Sequence, residues 1–120
     1  MKSREAQEQC VVISWANMQK NKYPELDLLF HIPNGGSRNF KEAINLKKQG
    51  VKAGVMDLFL PVARKSKHGL WIEMKWDKNK LTQQQKKWYF SMIDQGYEVE
   101  VCYSADEAIQ VIKEYLNIKG

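Results

Sequence analysis

Along the chain the apolar positions change period several times, and each change marks an element. Ser3 suits a helix N-cap, Glu5 falls in the first turn that follows, and Val11, Val12, Trp15 and Met18 form an apolar stripe. This predicts a helix that stops before Asn21 to Pro24. Leu28-Leu29-Phe30-His31-Ile32, halted by Pro33-Asn34-Gly35-Gly36, reads as a short buried strand, and residues 39–49 read as a second helix closed by Gly50. Val55 to Leu60 is a second strand ended by Pro61, and the basic stretch 63–68 with Gly69 makes a turn. Leu70 to Trp76 is a third strand, apolar except at Glu73 and Lys75, which stand two apart and so share one face. Thr82 caps a helix whose Leu81, Gln85, Trp88 and Met92 lie on one side, Gly96 ends it, residues 98–103 alternate as a fourth strand, and 105–116 form a closing amphipathic helix with Ala108, Ile112 and Leu116.

The order α-β-α-β-β-α-β-α predicts an α/β fold: a central mixed sheet flanked by helices, with the Asp57 and Glu73 strands as a hairpin-like pair. At 120 residues the chain is read as one domain spanning 1–120, because halves would be too small for good cores. Cys10 and Cys102 both sit among valines and read as reduced core residues. No stretch approaches the ~20 apolar residues of a membrane span, and the N-terminus lacks a signal-peptide run, so no membrane partner is expected and the protein reads as intracellular and soluble. Nineteen Lys and Arg against fourteen Asp and Glu give a net charge of +5, which favours a polyanionic partner.

Charge inside a buried strand calls for a partner, because an unpaired charge taken out of water is costly. Asp57 precedes Leu58-Phe59-Leu60, and Glu73 and Lys75 interrupt Trp71-Ile72-Met74-Trp76. If these strands are neighbours, two carboxylates converge beside a lysine. Two hard oxygen ligands on rigid backbone suit Mg2+ or Mn2+, whereas the plainer alternative is an ion pair between Glu73 and Lys75 with Asp57 capping a turn. Four features surround the trio. Gly50 and Gly54 precede Asp57; Gln85 interrupts an apolar helix face, as a satisfied buried amide or as a group for phosphate or water; Glu8 faces either the core or solvent; and His31, Asn34 and Arg38 cluster where the first strand ends.

Taken in order, His31-Ile32-Pro33-Asn34-Gly35-Gly36, Gly50-Val51-Lys52-Ala53-Gly54 with Asp57, Ile72-Glu73-Met74-Lys75, and Leu81-Thr82 with Gln85 and Trp88 resemble the VRR-NUC family, the virus-type replication-repair nucleases of the PD-(D/E)XK superfamily. The resemblance covers nearly the whole chain. Met56 stands where the family usually has proline, a position that shapes backbone and supplies no ligand.

The resemblance implies a restriction-endonuclease-like core and a Mg2+- or Mn2+-dependent deoxyribonuclease. Asp57, Glu73 and the Met74 carbonyl would be ligands, and Lys75 would orient the attacking water and steady the transition state. Gln85 matches the family's helix glutamine. Glu8 best matches its first-helix acid, with Glu5 one turn earlier as the alternative. His31, Asn34, Arg38 and Lys52 are substrate-binding candidates. Stand-alone members resemble viral junction-resolving homodimers, which implies branched DNA such as a four-way junction or a flap as partner, and is compatible with a phage-encoded enzyme acting in a host cytoplasm. A sequence-specific restriction-type enzyme and a non-catalytic nucleic-acid-binding module are the rival readings.

Overall fold

A computed structural model describes residues 3–33 and 39–119. Its elements are α1 (Arg4–Gln19), a 3-10 turn (Pro24–Leu28), β1 (Phe30–His31), α2 (Phe40–Lys48), β2 (Leu58–Leu60), β3 (Leu70–Met74), α3 (Gln83–Asp94), β4 (Glu98–Cys102) and α4 (Ala105–Leu116). The strands form one mixed sheet in the order β1-β2-β3-β4. β1 to β3 pair antiparallel, and β4 joins β3 in parallel, Leu70 opposite Glu98 and Met74 opposite Cys102. That parallel step needs a crossover, which α3 supplies.

Strand alternation sorts the sheet into two unlike faces. Leu58, Leu60, Leu70, Ile72 and Met74 are fully or almost fully buried and meet Val12 and Ala16 of α1 and Ala108 and Ile112 of α4 in the principal core. The intervening residues face α3. Phe59 stacks on Trp71 at 4.1 Å between ring centroids, and Trp71 meets Trp88 of α3 edge-on at 5.5 Å. Glu73 therefore lies on the α3 side of β3, one residue beyond the Ile72 core position.

Several sequence expectations change. The α1 stripe runs through Val12 and Ala16, four apart, while Val11 is half exposed and Met18 lies in solvent. Small Ala16 lets the helix sit close to the sheet, a preference that a count of large apolar residues does not register. The first strand shrinks to two residues and is exposed, not buried, because Pro24 opens a 3-10 turn that takes up Leu28 and because β1 is an edge strand with a neighbour on one side only. Asp57 lies just ahead of β2. Trp76 lies past the end of β3 and is exposed, with the Arg4 guanidinium 4.6 Å above its ring.

The cysteines also part company. Cys102 is buried in the core, whereas Cys10 sits on the outer side of α1. Burial, reinforced by Glu100 and Glu107, pushes the Cys102 thiol up to about 12. Thiolate is the reactive form. A thiol reagent at mildly alkaline pH should thus modify Cys10 in the native protein and Cys102 only after denaturation; equal rates in the native state would contradict this packing.

Candidate active site

The hairpin of β2 and β3 brings Asp57 and Glu73 to the same end of the sheet. Asp57 is fixed through both its main chain and its side chain. Its carbonyl accepts from the Ile32 N–H at 2.9 Å and from His31 Nδ1 at 2.8 Å, and since a carbonyl only accepts, His31 carries its hydrogen on Nδ1. Its Oδ2 accepts from the Met74 N–H at 2.8 Å, which ties it to β3 next to Glu73. His31 thus braces the backbone of Asp57 from the edge strand.

Glu73 is 3% exposed and Lys75 is 8% exposed. Glu73 Oε2 accepts from Gln85 Nε2 at 2.9 Å and lies 3.5 Å from Lys75 Nζ. The other carboxylate oxygen, Oε1, is buried and has no hydrogen-bond partner among the described residues. A buried carboxylate oxygen without a donor is costly, so the site is incomplete as a purely structural network.

The electrostatics agree. Burial, then the charge of Asp57, raises the Glu73 carboxyl to about 8 against the opposing pull of Lys75. Asp57 is also raised, chiefly by burial, although the Met74 N–H and His31 lower it. Of the two carboxyls, Glu73 is pushed to about 8, with the neighbouring Asp57 charge second to burial among the causes. Two adjacent carboxylates with, among the described residues, one lysine in ion-pair contact favour a further cation or a proton between them. Buried Oε1, the hard oxygen donors and this unbalanced charge fit a divalent cation of the Mg2+ or Mn2+ kind. No cluster of three or more His, Cys, Asp or Glu capable of holding a metal is present among the described residues, so protein ligation would rest on the two carboxylates and main-chain oxygen.

Gln85 is held by local helix physics. Thr82 Oγ1 accepts from the Gln85 N–H, and Gln85 Oε1 accepts from the Thr82 N–H at 2.9 Å, forming a capping box. The oxygen of the amide is thereby committed, which turns Nε2 towards Glu73. In the structure the amide orients a carboxylate through Nε2.

The first-helix acids separate too. Glu8 Oε1 accepts from the Ala105 N–H at 2.9 Å, at the N-terminus of α4. Glu5 accepts from Asn79 Nδ2 at 3.2 Å, and its charge contributes to raising Asp57. Sequence position favoured Glu8; the structure puts Glu5 within electrostatic reach of Asp57. Asn79, whose carbonyl accepts from Tyr103 Oη at 3.1 Å, was not singled out from sequence, because nothing in its local pattern marks a contact across so many residues. Lys52 is exposed and lines a cleft next to Gln85. Asn34 and Arg38 lie outside the described residues.

Compared with known proteins, residues 1–106 match the family model for the VRR-NUC domain. The chain belongs to the VRR-NUC family. A solved structure described as a VRR_NUC domain protein is similar over 99% of this chain and 93% of its own, with a TM-score of 0.81 and 34% sequence identity. No curated protein matches. A VRR-NUC domain is a nuclease domain of the PD-(D/E)XK type, so the chain is a nuclease and its substrate a nucleic acid. The mixed four-stranded sheet between helices is the fold that the resemblance implied. Within this VRR-NUC chain the Met56 side chain is fully buried. No helix among the described residues is long and apolar enough to cross a membrane.

Proposed function

We propose that the protein is a Mg2+- or Mn2+-dependent, structure-selective DNA endonuclease acting as a homodimer on branched DNA, with Asp57, Glu73 and Lys75 as its catalytic residues. The observation that carries this reading is Oε1 of Glu73, buried and without a hydrogen-bond partner among the described residues, beside Asp57 and Lys75. A purely structural ion pair would have no reason to leave it so.

Asp57, Glu73 and the Met74 carbonyl would hold the cation. When bound, such an ion supplies Lewis acidity and a water acidic enough to become a nucleophile near neutral pH. The chain's own residues do the positioning. The Met74 N–H fixes Asp57, Gln85 fixes Glu73, and Lys75 presents a positive charge where negative charge grows on the phosphate oxygens during in-line attack. Glu5, whose charge reaches Asp57, is the first-helix acid in this reading, while Glu8 steadies the packing of α1 on α4.

Arg38, Lys52, Lys65, Lys67, Lys78 and Lys80 would meet the sugar-phosphate backbone, which positions DNA without reading sequence. Contacts made to the sugar-phosphate backbone favour selection by shape over base readout. A symmetric pair of cuts requires two sites, and the exposed apolar side chains Phe40 on α2 and Phe90 on α3 support a second copy as partner. To test this, four-way, flapped and linear duplex DNA of shared sequence are offered with Mg2+ or Mn2+, and the mass is measured by sedimentation. Paired cuts in the branched substrates by a particle of twice 14.0 kDa are expected. Cleavage of linear duplex at a single sequence, or of none of the three, overturns the proposal.

A further inference from the structure

Between α2 and the start of α3 runs a cleft of about 910 Å3, floored by the loop from Gly50 to Gly54. α2 contributes no fully buried residue, so it stands as a wall and not as part of the core. Its inner side presents Ala43, Leu46 and Lys47; Lys87 and Trp88 of α3 face them, and Lys52 rises from the floor. The described residues lining this space include three lysines and no carboxylate, while Leu46, Val51 and Trp88 supply apolar surface. Gln85 belongs to both the cleft lining and the Glu73 hydrogen bond, so this one side chain links the cleft to the carboxylate pair. Trp88 Nε1 is buried and has no hydrogen-bond partner among the described residues.

Cations on both walls and the floor, with apolar and aromatic surface between them, are the chemistry that holds a nucleotide strand: phosphates on the lysines, base faces on the apolar surface. A paired, stacked duplex hides its base faces from such a wall, whereas an unpaired strand offers them. The volume is that of a ligand cleft and not of a duplex-wide groove. We infer that the cleft between α2 and α3 receives a short unpaired DNA strand, the frayed or displaced strand at a branch, and leads it to Glu73. The inference rests on the nuclease reading above and names the form of substrate that its site takes.

The test measures binding in chelator, where no cutting occurs, so it stands or falls apart from the nuclease proposal. Fluorescence anisotropy of labelled oligothymidylate and of a blunt duplex of equal length is followed for the wild type, the Lys47→Glu/Lys87→Glu double variant, Leu46→Gln, and Lys119→Glu as a distant charge control. The expected result is tighter binding of the single strand than of the duplex. The double variant should lose single-strand affinity by about a hundredfold and flatten its salt dependence, Leu46→Gln should lose about tenfold, and Lys119→Glu should bind like the wild type. Photocrosslinking of the wild type with halogenated oligonucleotide should label peptides within 43–54 or 82–88, a readout that needs no variant to fold. Crosslinks confined to other segments, equal affinity for the two DNA forms, or a Leu46→Gln protein that turns from dimer to monomer with binding intact would each overturn the inference, the last by making the cleft an interface between copies.

Discussion

Glu73→Gln is expected to lower DNA cleavage by at least about a hundredfold, the scale seen when one preorganised electrostatic group is lost from a reacting centre. The substitution preserves volume and can keep a hydrogen-bonded oxygen towards Lys75, so the loss would come from charge and not from packing. The same variant should be the more stable protein when divalent cations are chelated. Glu73 is raised by burial and by Asp57 to about 8, above its ordinary value of 4.5, so the folded state binds a proton more tightly than the unfolded chain. By linkage, this stabilisation is complete below the ordinary carboxylate range and is lost as pH rises through about 8. The metal-free wild type should therefore melt at progressively lower temperature from mildly acidic to mildly alkaline solution, and Glu73→Gln should flatten that slope. Mg2+ or Mn2+ should restore the wild type at the alkaline end and leave the variant little changed. A variant with the wild-type pH slope would mean that Glu73 is not the group holding the proton.

Gly54→Val should destabilise the fold by about 3 kcal/mol or more, adding the strain of a left-handed backbone to that of overpacking. Gly54 has φ +92°, and a Cβ there would stand 2.5 Å from the Gln84 carbonyl oxygen and 2.6 Å from its carbon. Backbone on both sides cannot yield cheaply. Because Gln84 lies in the first turn of α3, relief of the clash would shift Gln85 and loosen its hold on Glu73, so activity should fall with stability. Gly50 provides the internal comparison. It also has a positive φ, +103°, but a Cβ there meets nothing within 4 Å, so Gly50→Ala should cost only about 1 kcal/mol of backbone strain. Urea midpoints of the two variants measure the difference; equal costs would show that the Gly54 contact with α3 is not what holds the loop.

The sequence carried the periodic parts of this molecule well. Thr82 signals a helix N-cap, the run that begins at Leu70 signals a buried strand, and Ala108, Ile112 and Leu116 mark the inner side of α4, because each depends on neighbours one or two turns away. Charged Glu73 within that apolar run pointed to a site for the same local reason. Features set by distant partners were not legible. Glu5 and Glu8 share similar spacing on α1, and only the approach of Asn79 to one and of Ala105 to the other distinguishes them. The exposure of β1 depends on its being a sheet edge, and that of Cys10 on which side of α1 faces the sheet, neither of which its valine neighbours reveal. The bracing of Asp57 by His31 likewise waits on the pairing of β1 with β2.

The central claim, that Asp57, Glu73 and Lys75 form a phosphodiester-cleaving site, meets its most direct test in single-turnover cleavage of a labelled four-way junction by wild type and Lys75→Ala at saturating Mg2+. Lys75 is nearly buried and contacts the Glu73 carboxylate, so DNA affinity measured in chelator should change little while the cleavage rate falls by at least about a hundredfold. A Lys75→Ala protein that remains folded and cuts the junction at the wild-type rate would contradict the account.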